Sequence, residues 1–330
     1  MSRVLLCVRG GALELPLVAG ALRDRRAEPV VLDASAFPTG VSLSLAYDRD
    51  GFAARWAAGG GIEDARGIAA VWQANVVGSD LPAMEGGTRE TCVAASERAV
   101  VGLLDGLQVF QLDPYWHQQR ADNKPHQLCV AQRAGLDVPR TIITNEPEAV
   151  RELARRCGPV IAKMLVQPAS TGPTRDADVP VVFTTALTAE DLAQLDGLDL
   201  CPMIFQERVE DAFDVRVTIV GKRVFGAALD ATERTGGLDW RRQSHAMDRV
   251  PAWTPYELPD DVADRLMRVV DHFGLGYGAA DLMVRPDGRH VFLELNASGA
   301  FAFLGAGIAG SIAEAIAEVL VDPAARRVAS

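Results

Sequence analysis

The chain has little of what several large functional classes need. Its five cysteines, Cys7, Cys92, Cys129, Cys157 and Cys201, are odd in number and scattered, with no CxxC pair and no Cys/His cluster. That pattern argues against a disulfide framework and a structural zinc site, and makes the cytoplasm the expected compartment. Positive charge is short: 33 Lys and Arg stand against 44 Asp and Glu, a net charge of −11. A general binder of nucleic acid or anionic membrane shows the opposite balance, although a local basic cleft is compatible with it. No apolar run reaches membrane-spanning length. Met1 to Val8 starts like a signal peptide but breaks at Arg9-Gly10-Gly11 before a hydrophobic core can form, so it reads as a first buried strand. Gly10-Gly11 is not a GxGxxG fingerprint and supports no dinucleotide site. Histidines are few, and no Ser/His/Asp arrangement stands out for nucleophilic catalysis. No internal repeat or low-complexity run is present.

What remains is an ordinary folded protein of 330 residues, 48% hydrophobic and 23% charged, long enough for two or three subdomains. Residues 3–8, a helix over 15–26 and a strand over 29–32 make a βαβ opening. An edge strand is expected at 41–47, a short buried strand at 68–72 and a helix over 88–104. Residues 1–118 then form an α/β N-terminal domain. A helix over 121–135 ends at Gly135, and a strand follows at 140–144. The next helix, 146–157, is opened by Asn145 with Pro147 just inside. Residues 158–165 form a strand with Lys163 in its apolar middle. The stretch 167–180 is rich in Pro, Gly, Ser, Thr and Asp and reads as a loop, followed by a strand at 181–184 and a short helix at 188–195. Residues 119–202 are the expected central subdomain and 203–330 the C-terminal one. The latter carries hairpins at 215–229 and 276–295, with helices over 260–273 and 308–320.

The chemistry concentrates late in the chain. In Leu293-Glu294-Leu295-Asn296 the side chains alternate, so Glu294 and Asn296 share a strand face. A Pro-Asp-Gly turn at 286–288 folds that strand beside the one carrying Asp281. Three hard oxygen donors converge, which suits Mg²⁺ held between carboxylates and phosphates; a hairpin with a wet polar face is the plainer alternative. Lys163 needs an anion or a route to water. Lys124, near a helix start, is by itself an ordinary surface lysine. Gln206-Glu207-Arg208-Val209 is an extended segment between subdomains, suited to reading adenine with its backbone or to being a plain strand. Asp214 follows at a distance suited to ribose hydroxyls. Arg216 and Arg241 are candidate phosphate partners or surface ion pairs.

Taken in order, these pieces resemble the ATP-grasp superfamily. The ordered set is Asn123-Lys124, Gly135 to Thr141, the Lys163 strand, Gln206-Glu207-x-Val209, Asp214-x-Arg216-Val217-x-x-x-Gly221, then Asp281, Glu294 and Asn296. The resemblance is closer to the graspetide ligases that mature microviridin-type ribosomal peptides. It is carried by Asp33…Phe37-Pro38-Thr39, Asn123-Lys124-x-x-Gln127-Leu128, Arg140 to Pro147, Ala162 to Leu165, Cys201 to Glu207, Asp239 to Arg242 and Tyr277 to Asp281.

The resemblance implies an ATP-grasp fold with ATP between the central and C-terminal subdomains. It implies an ADP-forming, Mg²⁺-dependent macrocyclase that activates an Asp or Glu side chain of a precursor peptide. Lys124 and Lys163 would hold phosphates, and Gln206, Glu207 and Val209 would be the adenine hinge. Asp214 would contact ribose, and Arg216 and Arg241 the transferred phosphoryl or acyl phosphate. Asp281, Glu294 and Asn296 would bind Mg²⁺. Residues 167–180 would be the lid, and Glu190 and Asp191 part of the surface that docks the precursor's leader, although Thr188-x-x-Asp191 is also a capping box. A homodimer is implied, with no nucleic-acid or membrane partner. Two departures stand out. Gln73-Ala74-Asn75 stands where an arginine pair is usual. Ala297-Ser298-Gly299-Ala300-Phe301 stands where Pro, then a polar residue and an aromatic, are usual. The rival readings are an ATP-grasp ligase of free amino acids or a protein terminus, and a non-catalytic nucleotide-binding scaffold.

Overall fold

The structure is a computed structural model that describes residues 1–49, 51–74, 81–82, 84, 86–166, 184–230 and 251–327. The expected lid at 167–180, all but residue 184 of the strand expected at 181–184, and the motif residues 239–242, Arg241 among them, lie outside the described residues.

Strand β1 (Arg3–Val8) is buried from Val4 onward, as a central parallel strand must be. It pairs in parallel with β2 (Glu28–Asp33) and β6 (Ile68–Ala74), and β7 (Phe110–Leu112) completes a sheet of order β2-β1-β6-β7. Helix α1 (Glu14–Asp24) makes the first crossover. The edge strand expected at 41–47 is β3 (Val41–Asp48), the first of an antiparallel sheet with β4 (Gly51–Ala58) and β5 (Gly61–Asp64). The last two strands escaped sequence reading. β5 is short and largely exposed, and β4 buries only Ala54 and Trp56, so neither gives a strong apolar signal. Helix α2 (Gly86–Gly106) matches its expected span to within two residues at each end.

The helix expected over 121–135 is α4 (Lys124–Arg133), which starts three residues later, and a further helix not read from the sequence, α3 (Tyr115–Ala121), precedes it. The break is a capping event. The Asn123 side chain accepts from the His126 backbone N–H, and Pro125 lies in the first turn, where its missing N–H costs nothing. Gly135 ends the segment at φ 86°, as a C′ glycine should.

The central sheet has order β10-β9-β11-β8: β8 (Thr141–Thr144), β9 (Val160–Lys163), β10 (Thr185–Ala186) and β11 (Met203–Glu207). Helix α5 (Pro147–Cys157) packs on it through Val150 and Leu153, against Val160, Ala162 and Phe205. Its expected cap, Asn145, instead donates to the Asp199 carbonyl, and Glu146 is the residue that opens the helix. A short helix, α6 (Ala189–Ala193), lies at the end of this unit.

The C-terminal sheet is antiparallel, order β14-β13-β12-β15-β16: β12 (Phe213–Val220), β13 (Arg223–Leu229), β14 (Trp253–Pro255), β15 (Tyr277–Val284) and β16 (His290–Asn296). One face buries Val215, Val217, Ala280, Leu282 and Phe292 against Val262, Leu266 and Val269 of α7 (Asp260–His272). Val130 and Ala131 of α4 join that core. At one end the other face buries Val220, Tyr277 and Ala279 against α8 (Ala306–Val321), which also packs on α1. Packing thus cuts across the expected boundaries. β11 lies in the central sheet although it begins at 203, and α4 packs with the C-terminal one.

Asp113 ties the parallel sheet to the antiparallel one. Its carboxylate accepts from the backbone N–H of Gly276 (2.7 Å) and Tyr277 (2.8 Å). Burial pushes its pKa from 3.8 up to about 7, even though both N–H groups and Arg327 favour the charged form. The native state therefore keeps a proton that the unfolded chain releases. The stability this contributes is complete below about pH 3.8 and is lost as pH rises to about 7. Denaturant unfolding across that range should show wild type losing stability relative to Asp113→Asn as pH rises. A pH-independent difference would contradict it.

Candidate active site

Arg216, Asp281 and Glu294 form one row across three strands. Arg216 stands opposite Asp281 on the β12–β15 ladder, and Asp281 opposite Glu294 on the β15–β16 ladder. The second pairing depends on a β-bulge, since the register shifts between Asp281/Glu294 and Leu282/Phe292. In a regular ladder Asp281 would face Leu293, and Glu294 would point into the apolar core beside Phe292. The extra residue turns Glu294 toward Asp281, a usual use of bulges beside sites. Asn296 lies two residues further on the same face.

The side chains are tied together. Arg216 Nη1 donates to Asp281 Oδ1 at 2.8 Å, and Asn296 Nδ2 donates to Asp281 Oδ2 at 3.0 Å. Lys124 Nζ, projecting from the start of α4, meets Glu294 Oε2 at 2.9 Å. The cations and carboxylates brought here by four elements thus neutralise one another pairwise. Arg216 is 6% exposed, and its Nε has no hydrogen-bond partner among the described residues. Burial disfavours its charge, but Asp281, Tyr277 and Glu294 outweigh that and hold its pKa up.

A cavity of about 530 Å³ opens between the central and C-terminal sheets. Its walls include Lys163, Gln206, Glu207, Val209, Asp214, Arg216, Asp281, Glu294 and Asn296. An adjoining cavity of about 780 Å³ shares Lys163, Glu294 and Asn296 and adds Lys124. The structure thus brings together the candidate nucleotide and metal residues, apart from Arg241, which lies outside the described residues.

The hinge side chains are occupied. Gln206 takes Lys163 Nζ on its Oε1 (3.2 Å) and donates to Thr141 Oγ1 (2.8 Å). Glu207 is held by Arg285 (3.2 Å). What this segment offers a ligand is chiefly its main chain.

Glu190 and Asp191 are not part of this convergence. They sit on α6, exposed and lining neither of these cavities. Asp191 closes a capping box with Thr188, whose N–H and hydroxyl both donate to its Oδ2 at 2.8 Å and hold its carboxyl below the usual range. Of the two, Glu190 is the one without a capping role.

Several supporting residues were not found from sequence. Glu14, at the start of α1, accepts from the Phe301 and Ala302 backbone N–H groups (3.1 Å each) and so holds the loop after Asn296. The Tyr277 hydroxyl donates to the Gly299 carbonyl, and Arg216 Nη2 to the Ala300 carbonyl at 3.1 Å. A Cβ on Gly299 would lie 2.3 Å from Arg216 Nη2 and 3.0 Å from the Asn296 Cβ. The only sequence signal was the unusual run Ala297 to Phe301. Gly299→Ala should therefore displace the Arg216 fork and lower turnover on the order of 10²-fold, the usual cost of an ångström-scale misplacement. Circular dichroism should stay close to wild type, while the melting temperature should fall modestly, because the same Cβ would lie 2.9 Å from the Cβ of buried Ala279. Unchanged turnover would contradict the argument.

Residues 11–119 match the family model of the MvdD pre-ATP grasp domain. The search of curated proteins found no match. Among solved structures, the chain is similar to the macrocyclase MdnC of Microcystis aeruginosa MRC, which was crystallised with its precursor peptide MdnA. Identity is 31%, the alignment covers 97% of this chain and 99% of that one, and the TM-score is 0.82.

The chain belongs to the ATP-grasp ligases of ribosomal-peptide maturation.

A RiPP-associated ATP-grasp ligase of Chryseobacterium gregarium, in complex with ADP and a leader and core peptide, is 25% identical over 99% of this chain and 98% of that one, with a TM-score of 0.86. The ATP-grasp ligase PsnB, complexed with a phosphomimetic precursor variant, Mg and ADP, is 28% identical over 96% and 97%, with a TM-score of 0.69. The ATP-grasp fold and the carboxylate-ligase activity that the resemblance implied stand with this membership. The scaffold reading falls away.

Proposed function

We propose that this ligase closes side-chain rings in a ribosomally made precursor peptide at the expense of ATP. The observation that carries the reading is the Arg216–Asp281–Glu294 row, with Lys124, Lys163 and Asn296, facing the cavity between the central and C-terminal sheets.

The residues present fit a magnesium nucleotide. Asp281, Glu294 and the Asn296 amide form an all-oxygen set suited to Mg²⁺, and the unpartnered Arg216 Nε is a buried donor beside it. When bound, the metal supplies charge neutralisation across the phosphates. Lys124 and Lys163 then leave their protein partners for phosphate oxygens. The main chain of Gln206 to Val209 takes the adenine, and Asp214 the ribose.

In the first step a peptide Asp or Glu oxygen attacks the γ-phosphorus, the bond to the ADP oxygen breaks, and an acyl phosphate forms on the peptide. Arg216 faces the charge that moves onto it, and the resemblance assigns Arg241 the same role. In the second step a Ser or Thr hydroxyl, or a Lys amine, attacks the acyl carbon. Phosphate leaves, giving an ester or an amide. No covalent enzyme intermediate is needed. Residues 167–180 act as the lid that keeps water from the acyl phosphate. The leader docks against the central unit, with Glu190 the better acidic contact. The enzyme acts as a cytoplasmic homodimer; no helix among the described residues is long and apolar enough to cross a membrane.

The test is isotopic. A precursor peptide with ¹⁸O in its acidic side chains should deliver one label to the released phosphate for each ring closed. Ring closure with unlabelled phosphate would overturn the acyl-phosphate route.

A further inference from the structure

Strand β16, which carries Glu294 and Asn296, lies at the edge of its sheet, so among the described residues one side of its backbone has no strand to pair with. Its ladder to β15 is also irregular, because the bulge falls immediately before Glu294. A short strand end after a bulge, paired on one side only, would be a loose mount for metal ligands. That open edge is covered. Near the middle of β16 the Asp137 carbonyl accepts from the Phe292 N–H (2.8 Å). Beyond the bulge the cover among the described residues is a side chain, Gln127 of α4. Its Nε2 donates to the Leu295 carbonyl at 2.7 Å, and its Oε1 accepts from the Leu295 N–H at 2.9 Å. The amide thus pairs with Leu295 as a one-residue strand would, using both groups of the residue between Glu294 and Asn296. Gln127 is 2% exposed, and its Nε2 also donates to the Ala121 carbonyl at the end of α3. Water cannot replace it without opening the core.

We infer that Gln127 is a positioning residue for the metal site: it fixes the β16 backbone so that Glu294 and Asn296 hold the spacing Mg²⁺ demands. This deepens the proposed function and rests on its assignment of Glu294 and Asn296 as metal ligands. The physical reason is the narrowness of the Mg²⁺ requirement. Magnesium wants near-ideal octahedral geometry with short bonds, so a small drift of two ligands on one strand is costly. Groups that orient ligands from behind commonly contribute 10–100-fold to metal affinity. Gln127 also lies three residues after Lys124, on the same face of the helix. One helical turn therefore sets both the strand holding Glu294 and the lysine now paired with it.

Gln127→Met keeps the volume and removes all three hydrogen bonds, the two to Leu295 and the one to the Ala121 carbonyl. Gln127→Glu keeps an acceptor and, when burial holds it protonated, one donor. The probe is a fluorescent ADP analogue, titrated with MgCl₂ at fixed nucleotide. For Gln127→Met the Mg²⁺ concentration giving half-maximal binding should rise on the order of 10–100-fold, while nucleotide affinity measured without Mg²⁺ changes less than twofold. Gln127→Glu should fall between wild type and Gln127→Met, and nearer wild type at pH 6 than at pH 8. Both variants should keep a cooperative thermal transition. An unchanged Mg²⁺ midpoint in folded Gln127→Met would overturn the inference. So would equal losses with and without Mg²⁺, which a merely structural role would give. If wild type itself shows no Mg²⁺-dependent nucleotide binding, the assignment of the metal ligands fails instead, and the two outcomes are distinct.

Discussion

Glu294→Ala should lower ring formation on the order of 10³-fold or more while leaving a folded protein. Metal-ion charge stabilisation in a transition state is worth several kcal/mol, and each 1.36 kcal/mol is about tenfold in rate. Glu294 is one of the two anionic donors in the set, and its removal also frees Lys124 from its 2.9 Å pairing. The fold should tolerate the change. Both side chains are partly exposed, and such a pair contributes about 0–1 kcal/mol. The separation of effects is the informative part. Melting temperature without ligand should stay near wild type, whereas the stabilisation added by Mg²⁺ and nucleotide should largely vanish, because a ligand stabilises in proportion to its binding. Glu294→Gln, which keeps an oxygen but not the charge, should fall between. Undiminished turnover in Glu294→Ala would remove it from the metal set.

Arg216→Lys is the second large effect, and it separates charge from shape. The guanidinium uses Nη1 on Asp281 and Nη2 on the Ala300 carbonyl, and its Nε has no partner among the described residues. A lysine ammonium is a point charge that cannot span Asp281 and Ala300 while presenting a further N–H. Turnover should fall on the order of 10²–10³-fold, the range seen when a preorganised donor is removed from developing charge. Arg216→Met should lose at least as much and also destabilise the fold, since Asp281 then keeps its charge beside an apolar chain. Because the Asp281 side chain is 31% exposed, that cost should be about 1–3 kcal/mol, below that of a fully buried broken pair. Leader-peptide affinity should be unchanged in both variants. Wild-type turnover in Arg216→Lys would show that charge alone suffices.

Much of the site was legible in the sequence, for a definite reason. Strand alternation and turn chemistry are local, so the 276–295 hairpin and the sharing of a face by Glu294 and Asn296 could be read directly. The pairing of Asp281 with Glu294 could not, because it needs the bulge before Glu294, and nothing in Phe292-Leu293-Glu294 announces one. Gln127 carried the helical periodicity of α4, but its partner Leu295 is 168 residues away. Asp113 and Glu14 were missed similarly. Each serves backbone N–H groups of a distant element, and backbone partners leave no trace in side-chain composition. The start of the helix expected over 121–135 was placed too early because the periodicity runs back through a cap. Asn123 both fits the apolar rhythm's polar side and starts a new helix. The assignment of β11 to the C-terminal subdomain failed because strand order is set by tertiary pairing rather than by chain order. Membership in a ligase family came from the ordered motifs, and the geometry shows why their order matters: four elements far apart in sequence meet at one cavity.

The most direct test of the account is the intact mass of a candidate precursor peptide after incubation with the protein, ATP and MgCl₂. The account predicts loss of one water per ring, absent without ATP and absent with Glu294→Ala, with one ADP released per water lost. ADP release with an unchanged peptide mass, together with consumption of a free amino acid, would contradict it and make the protein an amino-acid ligase.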